Sequence, residues 1–542
     1  MAKVTLKDVG PGKSFYSFTA RFSEEEASNP STHRAFHRLC SLMRKMNVRT
    51  AVAEELEADH TAIKDEIEAL NTYLSGKTEL KSYRLTFIDR DVDDLSKVAG
   101  LPDSDFLASA ILINYKNTEG KWKSYVYRAV VAVPKIYSSS PPLPLLNTYL
   151  HVTNAFPCEV RINDDVLHKF VVTGTYFGQQ NGVTNVCSHA ALTACLNNAA
   201  FLRLPPITPE SINKILNIDH ATVRFGKGLS ERGGLNAVEF ETVLKAYNVE
   251  RFWFDFFEYP LIPYNQVIYN YIESGCPVIL AFTTENPYNL HVVTVLGHTL
   301  LSDIWRPEAE PVYSTFAERL EYKPASKWID NFIIHDDNFG MNLCLPIDSL
   351  KRTTFPKYDP TFRAIWAVAV IPEKVTTPAS EAEYASSLVI EDVLKFLEKK
   401  GPLDPWCQHI WNNPANKVIR TFLVSKEEYV SSLKKTDFSG ARFSSEDCEA
   451  LGKDLPPFFW LAEISTIDLY SANKTKIIDF FYSCEHGQVK DENEVFERWL
   501  QIRFPSMLIV KDAVDKYAMK PLEVSSHYPL LKFVTQSETL DW

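Results

Sequence analysis

The segment Tyr176-Phe-Gly-Gln-Gln-Asn-Gly-Val-Thr-Asn-Val-Cys-Ser-His-Ala-Ala-Leu192 decides how this chain is read. The pattern predicts a helix over Val186 to Asn198, with Cys187 at its start. A thiol there faces unpaired backbone N–H groups and the positive end of the helix dipole, and both favour the nucleophilic thiolate. The small residues Ser188, Ala190 and Ala191 let the helix pack closely on a second layer. Gln180 lies seven residues before Cys187 and Gln179 eight, and either could aim an amide donor at an oxyanion formed beside the sulfur.

A nucleophile needs a base. His189 is two residues on, and side chains at that spacing do not share a helix face. His291 is the better candidate, because it heads the apolar run His-Val-Val-Thr-Val-Leu-Gly297, soon after Gly275-Cys-Pro-Val-Ile-Leu-Ala-Phe282. The segment Phe332-Ile-Ile-His-Asp-Asp-Asn-Phe-Gly340 then offers Asp336, Asp337 or Asn338 to orient the imidazole. Alone, Cys187 would read as a packed helix cysteine like Cys195, His291 as a strand-end histidine, and the aspartates as turn residues. Their order along the chain argues for chemistry. Cys187, His189, His291 and Asp336 are acceptable zinc ligands, but clustered ligand spacings are missing, so no metal or other cofactor is expected. The Gly226–Gly234 loop lacks the ending of a phosphate loop and reads as a connector.

These residues resemble the papain-like cysteine peptidase superfamily, and within it the bacteriocin-processing-peptidase-like and phytochelatin-synthase-like branches. The shared features are Gln before Cys at a helix start, Gly-x-Pro-Val-Ile before a His-headed strand, and Asp at the end of a later strand. The run YFGQQ…C…AxL…LN is especially close to the phytochelatin-synthase start. The resemblance implies Cys187 as nucleophile, His291 as general base, Asp336 as orienting acid and Gln180 as oxyanion donor, with Gln179, Asp337 and Asn338 as substitutes. It covers roughly residues 170–345. The chain departs from papain in lacking C-G-[SA]-C-[WY], in Ser188, and in a Gln-to-Cys gap one residue longer. His291 to Asp336 spans 45 residues, and the excess, Leu301 to Ser326, is a polar insertion expected to act as a lid.

Working outward, 542 residues with 45% hydrophobic and 23% charged composition describe an ordinary globular chain. The net charge of −12 leaves no basic excess to replace counterions, so neither a nucleic-acid nor an anionic-membrane partner is expected. The longest apolar run, Ala364 to Ile371, falls far short of the roughly 20 residues that span a bilayer. The N-terminus shows no apolar leader, and nine widely spaced cysteines form no disulfide framework. A cytoplasmic protein with mostly buried, reduced thiols is expected.

The fold class expected is α+β: a papain-like core of a helical half plus an antiparallel sheet at 151–375, between an N-terminal α+β unit at 1–150 and a C-terminal one at 384–542. Helices are predicted over Arg34–Met46, Ala62–Leu74, Leu235–Tyr247, Asn265–Ser274 and Tyr384–Lys399. Lys121–Val133 reads as a pair of strands, Ser138–Pro144 as a boundary, Val375–Glu383 as a linker, and Glu54–Glu57 as a solvated face. The function implied is a thiol hydrolase, specifically a cysteine peptidase acting on a peptide or protein substrate. The same triad could run acyl transfer or deamidation, and a non-enzymatic scaffold with a protease-like fold is the rival. Oligomeric state is not legible.

Overall fold

The computed structural model describes residues 4–10, 12–13, 15–25, 34–76, 78–133, 148–163, 166–221, 234–284, 290–300, 311, 313–314, 320–350, 363–434, 443–473, 475–487, 491–512, 516–522, 528–529 and 531. The Ser138–Pro144 boundary and most of the Gly226–Gly234 loop lie outside them. Within them the fold is mixed α+β, built on three large, mainly antiparallel sheets.

The central sheet runs Gly340–Pro346, Asn331–Asp336, Leu290–Thr299, Val278–Thr283, Ala364–Ile371 and Glu250–Asp255, every pair antiparallel. Side chains alternate across it with the period of two that a strand imposes. Ile279, Ala281, Val292, Val368 and Val370 face one layer, where they pack with Ala191, Leu192 and Cys195 of the helix Cys187–Asn198 and with the helix Ala237–Ala246. Val278, Leu280, Val293, Val295, Ala367 and Ala369 face the other, against the helix Tyr264–Glu273. Apolar residues are needed on both faces, which is why these strands read as continuous hydrophobic runs. The Cys187 helix is buried on nearly all sides, and Thr294 Oγ1 donates to the Ala191 carbonyl at 2.9 Å.

The first sheet orders Val4–Asp8, Thr50–Leu56, Leu80–Ile88, Phe106–Lys116, Trp122–Ala132, Leu167–Phe177 and Asn154–Arg161. It therefore takes its last two strands from beyond residue 150, and Leu167–Phe177 runs directly into the Gln179–Cys187 segment. The helices Arg34–Lys45 and Lys64–Tyr73 form much as their apolar spacing predicts. Trp122–Ala132 is one strand and not a pair, since it contains no Gly, Pro, Asn or Asp to turn the chain. Glu54 is not solvated. Strand alternation turns it inward to Arg84 (3.2 Å) and Arg161 (3.0 Å).

The third sheet runs from Tyr313–Ser314 and Glu321–Pro324 through Lys417–Ser425, Phe458–Thr466, Ile478–Ser483, Trp499–Arg503 and Met507–Asp512 to Lys516–Pro521. Its first two strands come from the insertion expected to be a lid. Buried Leu320 and Tyr322 anchor that segment in the third sheet, while 301–310 lie outside the described residues. The expected linker is packed as well: Thr377 is fully buried, its carbonyl accepts from Trp460 Nε1 at 2.8 Å, and the helix Ala379–Lys400 starts two residues later. Among the described residues no helix is long and apolar enough to cross a membrane.

Candidate active site

Cys187 is the first residue of its helix, after Val186 in extended conformation, and its side chain is half-buried. Antiparallel pairing sets His291 opposite Phe282, at the start of its strand. His291 Nε2 lies 3.0 Å from Asp336 Oδ2 and 3.7 Å from Asp337 Oδ1. Burial by itself would lower the ring's proton affinity. The hydrogen bond to Asp336, the neighbouring Cys187 thiol and the charges of both aspartates outweigh it and push the pKa up to about 10. His291 and Asp336, distant in sequence, are hydrogen-bonded, and Cys187 lies near enough to the ring to raise its proton affinity.

Asp336 is buried at the end of its strand, and Oδ1 accepts from the backbone N–H groups of Asn338 (2.8 Å) and Phe339 (3.2 Å). Those bonds fix the carboxylate and leave Oδ2 for the imidazole. Asp337 is equally buried, yet neither of its oxygens accepts a hydrogen bond. Burial pushes its pKa up to about 7, against the pull of His291 and with the push of Asp336. Folding therefore keeps a proton on Asp337 that the unfolded chain releases near pH 4. The resulting penalty is absent at low pH, grows through the range 4 to 7, and is full above it. Asp337→Asn should accordingly raise the thermal midpoint at pH 8 and leave it unchanged at pH 4, measured by calorimetry at both.

The two glutamines part company. Gln179 is stitched to the first sheet, its N–H donating to the Val126 carbonyl and its Oε1 accepting from Val126 N, each at 2.9 Å. Gln180 turns instead to the acid turn, where Nε2 donates to Asn338 Oδ1 at 3.0 Å. An open cleft of about 480 Å³ lies beside them, lined by Gln180, Asn338 and Phe339 and, from the first unit, Glu25, Arg34 and Lys123.

Several supporting residues carry no local sequence signal. Glu66, fully buried on the helix Lys64–Tyr73, accepts from Tyr125 Oη (2.6 Å), Asn181 Nδ2 (2.8 Å) and Asn185 Nδ2 (3.3 Å). Burial and the neighbouring Glu210 push it up to about 7. Asn181 Oδ1 accepts from the backbone of Val183 and Thr184, so the loop before Cys187 is wound around a carboxylate from the first unit. On the other flank, Arg38 Nε donates to the Met341 carbonyl at 3.0 Å and Arg34 stacks on Phe339. Gly340 sits at φ +118°, where a Cβ would come within 2.8 Å of Arg38, so only glycine allows this approach. His335 is kept neutral, burial lowering it to about 4, and its Nδ1 meets the Tyr176 carbonyl at 3.0 Å. The same carbonyl accepts from Asn198 at 2.9 Å, which joins the acid strand, the glutamine segment and the far end of the Cys187 helix.

His189 is not part of the cluster; its Nε2 meets Asn213 Oδ1 at 2.9 Å. His291, Asp336 and Asp337 have donor atoms within 4.8 Å of one another and could hold a cation, but a ligand on Nε2 would displace the His291–Asp336 hydrogen bond. None of the nine cysteines is in a disulfide. Six are buried, Cys158 and Cys187 are half-buried, and Cys344 is exposed. Burial pushes the thiols of Cys40 and Cys158 up to about 11 and that of Cys484 to about 12, and raises Cys344 as well. No protein-family model, no curated protein and no solved structure matches this chain.

Proposed function

We propose that the protein is a thiol hydrolase of papain-like architecture, a cysteine peptidase that cleaves an amide bond with Cys187, His291 and Asp336. The observation that carries this reading is a single imidazole held by Asp336 on Nε2 and interacting with the Cys187 thiol. The Cys187 thiolate attacks the carbonyl carbon, a C–S bond forms, and the carbonyl electrons move to oxygen. The Cys187 backbone N–H and Gln180 stabilise that oxyanion. Collapse breaks the C–N bond as His291 passes its proton to the leaving amine. Water, deprotonated by His291, then hydrolyses the thioester and restores the thiol pair. The open cleft beside Gln180 and Asn338, lined by none of the triad, offers an adjoining surface for the substrate peptide, and the cytoplasm suits nine thiols without a disulfide.

The test is incubation with a mixed peptide library, with and without an added thiol peptide, read by mass spectrometry. New termini support hydrolysis, joined peptides would assign acyl transfer, and glutamine-to-glutamate conversion would assign deamidation. No product, together with Cys187→Ala indistinguishable from the parent, would establish the scaffold. The two glutamines can also be sorted. Gln180→Ala should lower kcat about 10²-fold or more with little change in KM. Gln179→Ala, which removes an acceptor of a sheet N–H, should act mainly on stability.

A further inference from the structure

We propose that His151, Glu273 and His298 form a site for one divalent transition-metal ion, zinc by preference, which fastens three chain segments together. This cluster is separate from the Cys187 set and independent of the function proposed for it. His151 follows the short strand Thr148–Leu150, Glu273 ends the helix Tyr264–Glu273, and His298 lies in the strand Leu290–Thr299. Their tips converge: His151 Nε2 to His298 Nε2 is 3.1 Å, His298 Nε2 to Glu273 Oε1 is 2.9 Å, and His151 Nε2 to Glu273 Oε1 is 3.8 Å. Tetrahedral zinc, with bonds of about 2.0–2.1 Å, separates its ligand atoms by about 3.3–3.4 Å. The three separations bracket that value.

The chemistry of the cluster points the same way. Two imidazoles aim the same nitrogen at each other and at one carboxylate oxygen, and each neutral ring carries a single N–H to share among them. A cation at the centre uses all three lone pairs at once. Glu273 also stands fully buried in the last turn of a helix, where the dipole is negative and a carboxylate is least favoured. Arg420 Nη2 holds Oε2 at 2.5 Å, which leaves Oε1 to the histidines, and the Thr299 carbonyl lies 3.4 Å from His298 Nδ1. Such outer partners orient metal-binding side chains. Tyr269, one turn before Glu273, has a buried hydroxyl that faces the Glu273 carboxylate, and its ring lies 5.2 Å from that of His298. Three protein ligands leave the fourth tetrahedral position to a water. The guanidinium of Arg420 opposes a second cation, so the ion is held less tightly than in a thiolate site and exchanges with a chelator.

The experiment strips full-length protein with a chelator, refills it with Zn²⁺ or Co²⁺, desalts it, and measures metal content, visible absorption and thermal midpoint. The expected result is about one ion per chain, a cobalt d–d band of low-symmetry sites, and a midpoint raised by metal. His151→Ala and the similarly sized His151→Leu should each weaken retention at least a hundredfold, His151→Asp should restore part of it, and His291→Ala should retain the ion. Three results would overturn the proposal: no retained ion and no cobalt band in the unaltered protein, retention unchanged in the His151 variants, or loss in His291→Ala. The last would place the ion on His291, Asp336 and Asp337. The cobalt spectrum of the unaltered protein decides even where a variant fails to fold.

Discussion

Cys187→Ala is expected to abolish turnover, by about 10³-fold or more, with the fold unchanged. The argument rests on what the residue does not do structurally. Cys187 is half-buried at a helix terminus, and the apolar packing of that helix is carried by Ala191, Leu192 and Cys195. Exchange for alanine removes one sulfur from the edge of that core and leaves a good helix former. Stability should move by about 1 kcal/mol or less, while the chemistry loses its only nucleophile. His291→Ala should fall almost as far, and the two losses should not add, since they disable one unit. Turnover of the library hit and a thermal scan of each variant check both halves.

Arg420→Met is expected to have the largest effect on stability, a loss of about 3–5 kcal/mol. Arg420 is 1% exposed and bridges two buried carboxylates, Glu273 at 2.5 Å and Glu463 at 2.6 Å. Lys476 continues the chain to Asp479, which Arg503 closes at 2.6 Å. Three buried anions thus face three buried cations, and deleting Arg420 takes from Glu273 and Glu463 a buried charge that His298 and Lys476 replace only in part. Chemical denaturation with a chelator present removes any metal contribution. Lys516→Ala, which breaks the exposed pair with Asp392, serves as the comparison and should cost less than about 1 kcal/mol. An equal loss for the two would mean that the buried network contributes nothing special.

The proposed triad was legible because each member sits at the edge of an element with a strong local pattern. Cys187 precedes a run of small apolar residues, His291 heads a continuously apolar strand, and Asp336 ends another. Sheet membership was not legible. Asn154–Arg161 and Leu167–Phe177 have the same period whichever sheet they join, and only their partner Trp122–Ala132 assigns them to the first. Glu66 escaped notice for a related reason. On an amphipathic helix a glutamate reads as solvated, and its partner Asn181 is 115 residues away. The same holds for Glu54, whose charge is answered by Arg84 and Arg161 on other strands. Buried charge is a property of long-range pairing, to which a local pattern is blind. The consequence for function is concrete: Glu66, Arg34 and Arg38 make the first unit a structural part of the proposed site.

The rate of alkylation at each cysteine, mapped by peptide mass spectrometry at pH 6, tests the central claim most directly. Ordinary thiols, with pKa near 8.5, are nearly inert there. A nucleophile held beside protonated His291 is not. Cys187 should be modified first among the nine, ahead of the more exposed Cys344, and His291→Ala should slow it at least tenfold. If Cys344 or another cysteine reacts first, or Cys187 reacts only at alkaline pH and at the same rate without His291, the thiol hydrolase account is wrong.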